Sequence, residues 1–246
     1  MRIPRIYVPQ PLSDGDIVHL PEQAGEHLAR VLRLEAGHPL VLFNGDGGEF
    51  TARLASLAKR SVTAQVLEAR AADRESPLQL TLAQGVARGE KMDWILQKAT
   101  ELGVSRIIPV VTERTEVRLD EERAERRLSH WHQVIASACE QCGRNRLPQV
   151  TPPIKLAAWA GQLGADPAAR YALLPEGDQS LASITSLPHG AILTVGPEGG
   201  FSDQDEAILR NAGFKGLRLG PRILRTETAG IAALAALQAI AGDLGG

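Results

Sequence analysis

The stretch that decides the fold runs Ala191-Ile192-Leu193-Thr194-Val195-Gly196-Pro197-Glu198-Gly199-Gly200-Phe201-Ser202. Five apolar or β-branched residues without alternation predict a strand buried on both faces, the mark of a parallel sheet covered by helices. That strand runs straight into a loop with three glycines. Loops at the carboxyl ends of parallel strands are where α/β folds bind ligands, and missing side chains let a ligand approach the backbone. A tight turn chosen for geometry alone is the plainer explanation of the same glycines. Ser202 reads as the N-cap of a following helix, with Asp205 three residues on as its capping partner.

The alternation of strands and helices extends in both directions. Leu78 to Gln84 predicts a strand, and Glu90 to Leu102 a helix with Met92, Ile95, Leu96, Ala99 and Leu102 on one face and Gly103 as its stop. Arg106 to Val111 predicts a strand, and Asp120 to Cys142 a charged helix in which Glu122 and Arg126 sit one turn apart. Strands are expected at Tyr171 to Leu174 and Gly216 to Leu219, helices at Gln204 to Ala212 and Glu227 to Ala241, and a short helix with a loop within Leu156 to Ala169. Such a series predicts an α/β fold with a parallel sheet covered on both faces.

Before this region the grammar differs. Short β-like runs at Arg5 to Val8, Asp16 to Leu20, Pro39 to Phe43, Glu49 to Leu57 and Ser61 to Leu67 fit a small barrel. Asn44-Gly45-Asp46-Gly47-Gly48 supplies a hairpin turn between two of them. One helix interrupts the strands, with Pro21 in its first turn and Glu26 to Arg33 in its body. The polar stretch Ala71 to Pro77 separates the two patterns, so the expected domains are 1–72 and 73–246.

A second loop, Leu219-Gly220-Pro221-Arg222-Ile223-Leu224-Arg225-Thr226-Glu227-Thr228-Ala229, leads into the last helix. Thr226 reads as its N-cap, and Glu227 suits the positive helix end. Neither role explains Ile223-Leu224-Arg225, because a connecting loop seldom needs two large apolar residues beside arginines.

Composition narrows the function classes. With 246 residues, 43% hydrophobic and 23% charged, the chain can bury two cores. Its apolar stretches fall short of a bilayer span, and two cysteines are too few to staple a secreted fold, so a cytoplasmic protein without a membrane partner is expected. A formal net charge of −2 lacks the positive excess of a protein that grips arbitrary nucleic acid. An RNA partner would have to be recognised by a local patch and by shape. Cys139-x-x-Cys142 has zinc or redox spacing, but it lies in a helical pattern where Leu128, Trp131, Ile135, Ala138 and Cys142 share a face. There is no second pair, and no metal is expected. His130 and His132 diverge on a helix, and neither a phosphate-binding P-loop nor a Gly-x-Gly-x-x-Gly fingerprint occurs.

Taken together, the Gly196-Pro197-Glu198-Gly199-Gly200 loop and the Ile223-Leu224-Arg225-Thr226-Glu227-Thr228-Ala229 segment resemble the SPOUT methyltransferases, specifically the ribosomal RNA uridine-N3 methyltransferase family. Leu28 to Arg33, Gln97 to Val104 and Glu140 to Arg144 also look like that family's segments, in the same order. His38 departs from a position where the family often has an acidic residue, and Glu113 to Val117 varies a usually less acidic motif.

The resemblance implies a trefoil-knotted parallel sheet behind an N-terminal PUA-like barrel, an exception to the rule that folds avoid threading. It implies S-adenosyl-L-methionine as methyl donor, with Leu174, Gly196, Glu198, Gly199, Gly200, Leu219, Gly220, Ile223, Leu224 and Thr228 as its neighbours. The implied partners are 16S ribosomal RNA within the small subunit and a second copy of the chain. For catalysis, Arg225 is expected to stabilise charge developing on uracil, and Glu198 or Glu227 to accept or orient the proton. Arg30, Arg33, Arg88, Lys91, Lys98, Arg114, Arg144 and Arg146 are the expected phosphate contacts, with ordinary solvated charge as the alternative for each. A 2′-O-ribose methyltransferase of the same superfamily and a non-catalytic RNA-binding protein are the competing functions.

Overall fold

The computed structural model of the chain describes residues 3–58, 61–117 and 120–245; Met1, Arg2 and Gly246, at the outer limits of the two expected domains, lie outside the described residues. The chain falls into two compact units, Met1–Glu75 with Ala136–Leu147, and Ser76–Ile135 with Pro148–Gly246.

The first unit contains β1 (Arg5–Tyr7), β2 (Ile17–His19), the short helix α1 (Glu22–Glu26) running into one π-helical turn (His27–Val31), β3 (Pro39–Phe43), β4 (Glu49–Ala58) and β5 (Ser61–Arg70). The strands form one sheet in the order β1-β3-β4-β5-β2, antiparallel except for the β1–β3 pair. Register shifts in the β4–β5 ladder let it curl around a core that includes Leu28, Leu40, Leu42, Leu54, Ala64 and Val66. The β3–β4 turn has Gly45 and Gly47 at φ of 91° and 106°, and the Asn44 side chain accepts the backbone N–H of Asp46 at 3.2 Å. Pro21 immediately precedes α1 and caps it instead of lying inside its first turn.

A polar cluster explains why residues 136–147 belong to this unit. Arg5 donates to Glu49 and to Asn145 Oδ1, both at 2.6 Å, and Arg74 donates to Glu49 at 3.1 Å. Arg144 forms a two-pronged pair with Glu75 at 2.6 and 3.0 Å, and Asn145 Nδ2 donates to the Ala72 carbonyl at 2.8 Å. Burial pushes the Glu49 carboxyl up, but the hydrogen bonds and charges of Arg5 and Arg74 outweigh it and hold the group below the usual carboxylate range.

The second unit begins with β6 (Leu80–Gly85), α2 (Glu90–Glu101), β7 (Arg106–Val111) and the long α3 (Glu121–Cys142), whose last turns lie in the first unit. It continues with β8 (Gln149–Val150), β9 (Ile154–Lys155), α4 (Leu156–Ala160), β10 (Ala169–Leu173), β11 (Gln179–Ser180), β12 (Ala191–Val195), α5 (Asp203–Asn211), β13 (Lys215–Arg218) and α6 (Thr226–Ala241). The sheet order is β11-β13-β10-β12-β6-β7-β8, with β9 also on β7, and every pairing is parallel.

Strand β12 is buried at all five positions, as its unbroken apolar run requires. Its neighbour β6 shows how the faces divide: Ala83 joins Trp159 of α4 and Leu209 of α5, while Leu82 faces Gly230 of α6. Gln238, fully buried on α6, accepts from Ser76 Oγ at 2.7 Å and donates to the Leu102 carbonyl at 2.8 Å, fixing α6 against the end of α2. Among the described residues no helix is long and apolar enough to cross a membrane.

The topology contains a crossing that periodicity cannot reveal. The chain leaves β10, passes across β13 and pairs on its far side as β11, so β13 is flanked by two successive segments of one earlier stretch. A Cβ on Gly177 would lie 2.6 Å from the carbonyl carbon of Gly216, so the two backbones pass in direct contact and both positions exclude side chains. From the end of β13 the chain must then return past this connection to reach α6, which packs on β12 and β6. Two connections therefore cross at one end of the sheet, the threading expected of the knotted fold.

Candidate active site

At that crossing lies a cleft open to solvent. One wall is Leu173, Leu174 and Pro175, leaving β10; the other is Leu219, Gly220, Arg222, Ile223 and Leu224, leaving β13; Leu217 and Ala229 complete it. Gly220 turns the second wall with φ of 82°. Ile223 is 84% exposed, a large apolar side chain held at the rim without a core to fill. This accounts for the apolar residues of the second loop that capping left unexplained.

The glycine loop is tied to the start of α6, two residues beyond Leu224, and is tightly turned. The Gly200 N–H donates to the Pro197 carbonyl at 2.8 Å, and Gly200 takes φ of 68°. A Cβ on Gly196 would meet the Gly200 backbone at 2.9 Å, and one on Gly199 would lie 3.1 Å from Arg114 Cβ. The loop's glycines thus answer to turn geometry and close packing. After it, Ser202 and Asp205 form a complete capping box, with Asp205 N–H donating to Ser202 Oγ at 3.1 Å and Ser202 N–H to Asp205 Oδ2 at 3.0 Å.

Glu198 fastens this loop to the start of α2. Its Oε1 accepts the Arg88 backbone N–H at 3.1 Å and Lys91 Nζ at 3.0 Å. Burial raises the carboxyl, yet the Lys91 and backbone hydrogen bonds prevail and hold it below the usual value. A carboxylate so stabilised in its ionised form is a weak proton acceptor, so Glu198 suits an orienting role. Glu227, in the first turn of α6, differs: its Oε2 is shielded from solvent and has no hydrogen-bond donor among the described residues.

Of the expected donor neighbours, Leu174, Leu219, Gly220, Ile223 and Leu224 line the cleft; Gly196, Glu198, Gly199 and Gly200 form the neighbouring loop; Thr228 is exposed on α6. Arg225 is exposed, and its backbone holds the N-cap position of α6, so Thr226 is not the cap. Instead the Thr226 hydroxyl donates to the Gly196 carbonyl at 2.6 Å and accepts from Gln84 Nε2 at 2.9 Å. Sequence reasoning missed Leu173, Pro175, Leu217, Arg222 and Ala229 in the cleft, and it missed Gln84; a glutamine closing an otherwise apolar strand run was the available signal.

The expected phosphate contacts separate by environment. Arg88 pairs with Glu116, Lys91 with Glu198, and Arg114 donates to the Gly199 carbonyl at 3.1 Å, so these three cations surround the glycine loop. Lys98 pairs with Glu101 at 2.8 Å and Arg30 with Glu26 at 3.1 Å. Arg33 is exposed at φ of 51°, an uncommon conformation for a side chain of its size, and Arg146 is exposed beside Gly47. Arg144 is the correction: it is buried against Glu75 and serves the interior of the first unit. Cys139 is buried with its thiol pushed up to about 12, chiefly by desolvation, and no metal-binding group of three or more His, Cys, Asp or Glu occurs among the described residues.

Comparison with known proteins places this geometry in a family. A model described as RNA methyltransferase domain matches residues 74–238, and one described as RNA methyltransferase PUA domain matches residues 20–67. The ribosomal RNA small subunit methyltransferase E of Buchnera aphidicola from Schizaphis graminum is 31% identical over 243 residues, 99% of this chain and 98% of that one. A ribosomal RNA small subunit methyltransferase E of Neisseria gonorrhoeae, solved bound to S-adenosyl methionine, superposes with a TM-score of 0.89 at 40% identity over 98% of this chain and 99% of its own. A Legionella pneumophila protein assigned as a methyltransferase, solved with bound SAM, gives 0.93 at 40% identity, covering 99% of this chain and 100% of that one. The expected fold class, a SPOUT-type α/β unit with a PUA-like unit before it, agrees with these matches.

Proposed function

Since the chain belongs to the ribosomal RNA small subunit methyltransferase E family, we propose that it transfers a methyl group from S-adenosyl-L-methionine to N3 of a uridine in 16S ribosomal RNA. The observation that carries the reading is the cleft between the β10 exit and the Leu219–Leu224 loop, made by the two connections that cross. Its apolar walls, open on one side to solvent, suit a ligand with an apolar body and a polar edge. Leu174, Leu219, Ile223 and Leu224 would hold the donor, and Gly220 would let its backbone approach. When bound, the donor supplies a methyl group already activated by its sulfonium.

The protein's part is then to place a nitrogen in line, manage one proton and exclude water. Uridine N3 loses its imide proton as it reacts, leaving charge on the ring oxygens. Arg225, exposed beside the cleft and free of a structural partner among the described residues, is suited to stabilise that charge. Glu227, with an unpartnered shielded oxygen, is suited to accept or orient the proton, whereas Glu198 positions Lys91 and the Arg88 backbone. N3 is also the atom uridine uses in pairing, so the target must be unpaired or flipped out.

Arg88, Lys91 and Arg114 would meet phosphates around the glycine loop, and Arg30 and Arg33 would do so on the PUA-like unit. A net charge of −2 favours assembled small subunits over naked RNA as substrate. A homodimer is supported by Trp94 on α2, Ile240 at the end of α6 and Leu244 beyond it, apolar side chains left exposed on one chain. Methyl transfer from labelled donor to small subunits lacking the modification, followed by mapping, tests the reading. A methyl on base N3 is expected; a methyl on ribose O2′ would favour the ribose methyltransferase, and failure to bind the donor would favour a non-catalytic RNA-binding role.

A further inference from the structure

At the carboxyl end of β6 three segments meet that chain order keeps far apart. Gln84 Nε2 donates to Thr226 Oγ1 at 2.9 Å and to the Gly85 carbonyl at 3.0 Å. The Thr226 hydroxyl donates onward to the Gly196 carbonyl at 2.6 Å. Both side chains are buried, Gln84 completely. Beside them Gly85 leaves no room for a Cβ, which would sit 2.4 Å from Pro197 N, so the glycine loop rests directly on the strand end. Two hydrogen bonds in series thus bridge sequence separations of 142 and 30 residues.

Helix formation does not need this arrangement. Thr226 is inside the first turn of α6 and caps nothing, and valine would fill the same buried volume. The hydroxyl does one thing valine cannot: it joins the root of the glycine loop to the start of α6. Arg225 and Leu224 immediately precede that point, and Leu224 lines the cleft.

We propose that Thr226, oriented by Gln84, is a positioning residue for methyl transfer that sets the spacing between the Gly196–Gly200 loop and the Leu219–Arg225 loop. The inference rests on the S-adenosyl-L-methionine-dependent reading above. The bridge is short and shielded, so its loss takes the hydroxyl donor from the Gly196 carbonyl and leaves Gln84 Nε2 with the Gly85 carbonyl but without the Thr226 acceptor. The relief is for the two loops to separate and admit water, which moves Arg225 relative to the cleft.

The test is Thr226→Val, with Thr226→Ser as the conservative variant and Gln84→Met as an independent break in the same chain. Donor affinity is read by calorimetry, single-turnover methyl transfer at saturating donor on small subunits, and stability by melting, all assays run well below the melting transition. Thr226→Val is expected to weaken donor binding about tenfold and to slow the saturated rate on the order of 10- to 100-fold. Thr226→Ser should restore both, and Gln84→Met should move both in the same direction as valine. A wild-type chain that binds no donor overturns the parent reading and this inference with it. A wild-type chain that binds donor, with Thr226→Val changing only the melting temperature, overturns this inference alone. Should the valine variant not fold, unchanged affinity and rate in Gln84→Met overturn it, as does a serine variant no better than valine.

Discussion

Replacing Gly85 by alanine adds one methyl group where β6 ends and the glycine loop arrives. The new Cβ would sit 2.4 Å from Pro197 N, 2.6 Å from Pro197 Cδ and 2.8 Å from the Gly196 carbonyl carbon, against ordinary contact from 3.4 Å upward. The Gly85 φ lies outside the left-handed region, so alanine suffers no backbone strain and the effect is purely steric. Two of the three obstructing atoms are backbone, so the loop as a whole must retreat by about 1 Å. Overpacking of this kind costs about 1–3 kcal/mol, a loss of roughly 2–12 °C in Tm for a chain of this size. Displacement of the loop by that distance should cost the chemistry more, on the order of 10²-fold in single-turnover rate. Melting curves, donor calorimetry and labelled methyl transfer to small subunits measure these together. Gly48→Ala is the control, because its Cβ meets nothing within 4 Å and its φ is not positive. Wild-type rate and donor affinity in Gly85→Ala would refute the claim that the loop's seat on β6 positions the reaction.

Other variants probe separate parts of the molecule. Arg225→Ala should lower turnover by on the order of 10²-fold or more while donor affinity and Tm hold, because the side chain is exposed and its group is engaged mainly in the transition state; an unchanged single-turnover rate would remove its catalytic role. Arg144→Ala should destabilise the first unit by about 3 kcal/mol by stranding Glu75, which urea unfolding would register, whereas Arg146→Ala should leave stability within about 0.5 kcal/mol. Burial pushes the Glu140 carboxyl up more than the Tyr7 N–H and Arg5 pull it down, so the folded state holds that proton more tightly than the unfolded chain. The stability this confers is complete below the ordinary glutamate value and is lost as pH rises through the folded one. Glu140→Gln should therefore melt higher than wild type at neutral pH, with the gap closing toward roughly pH 4, and a pH-independent gap would count against the argument.

The sequence alone determined those features whose causes are local. The unbroken apolar run of Ala191–Val195 could only be a strand covered on both faces, and Ser202 with Asp205 three residues on became the capping box that spacing demands. The β3–β4 hairpin followed from glycines tolerant of positive φ. Each of these is settled by neighbours within one helical turn or one strand pair. Tertiary structure decided wherever a residue's partner lies far along the chain. Thr226 has a capping residue's chemistry, yet its hydroxyl goes to Gly196, 30 residues away, because Arg225 already occupies the cap. Arg144 has the composition of a surface cation but is buried against Glu75, 69 residues earlier, and with it the end of α3 leaves the sheet unit for the first unit. Gly177 and Gly216 look like ordinary loop and strand glycines until the chain crosses over itself and their backbones touch. A side chain's periodicity records which face it occupies and carries no record of what the chain, returning much later, will lay against that face.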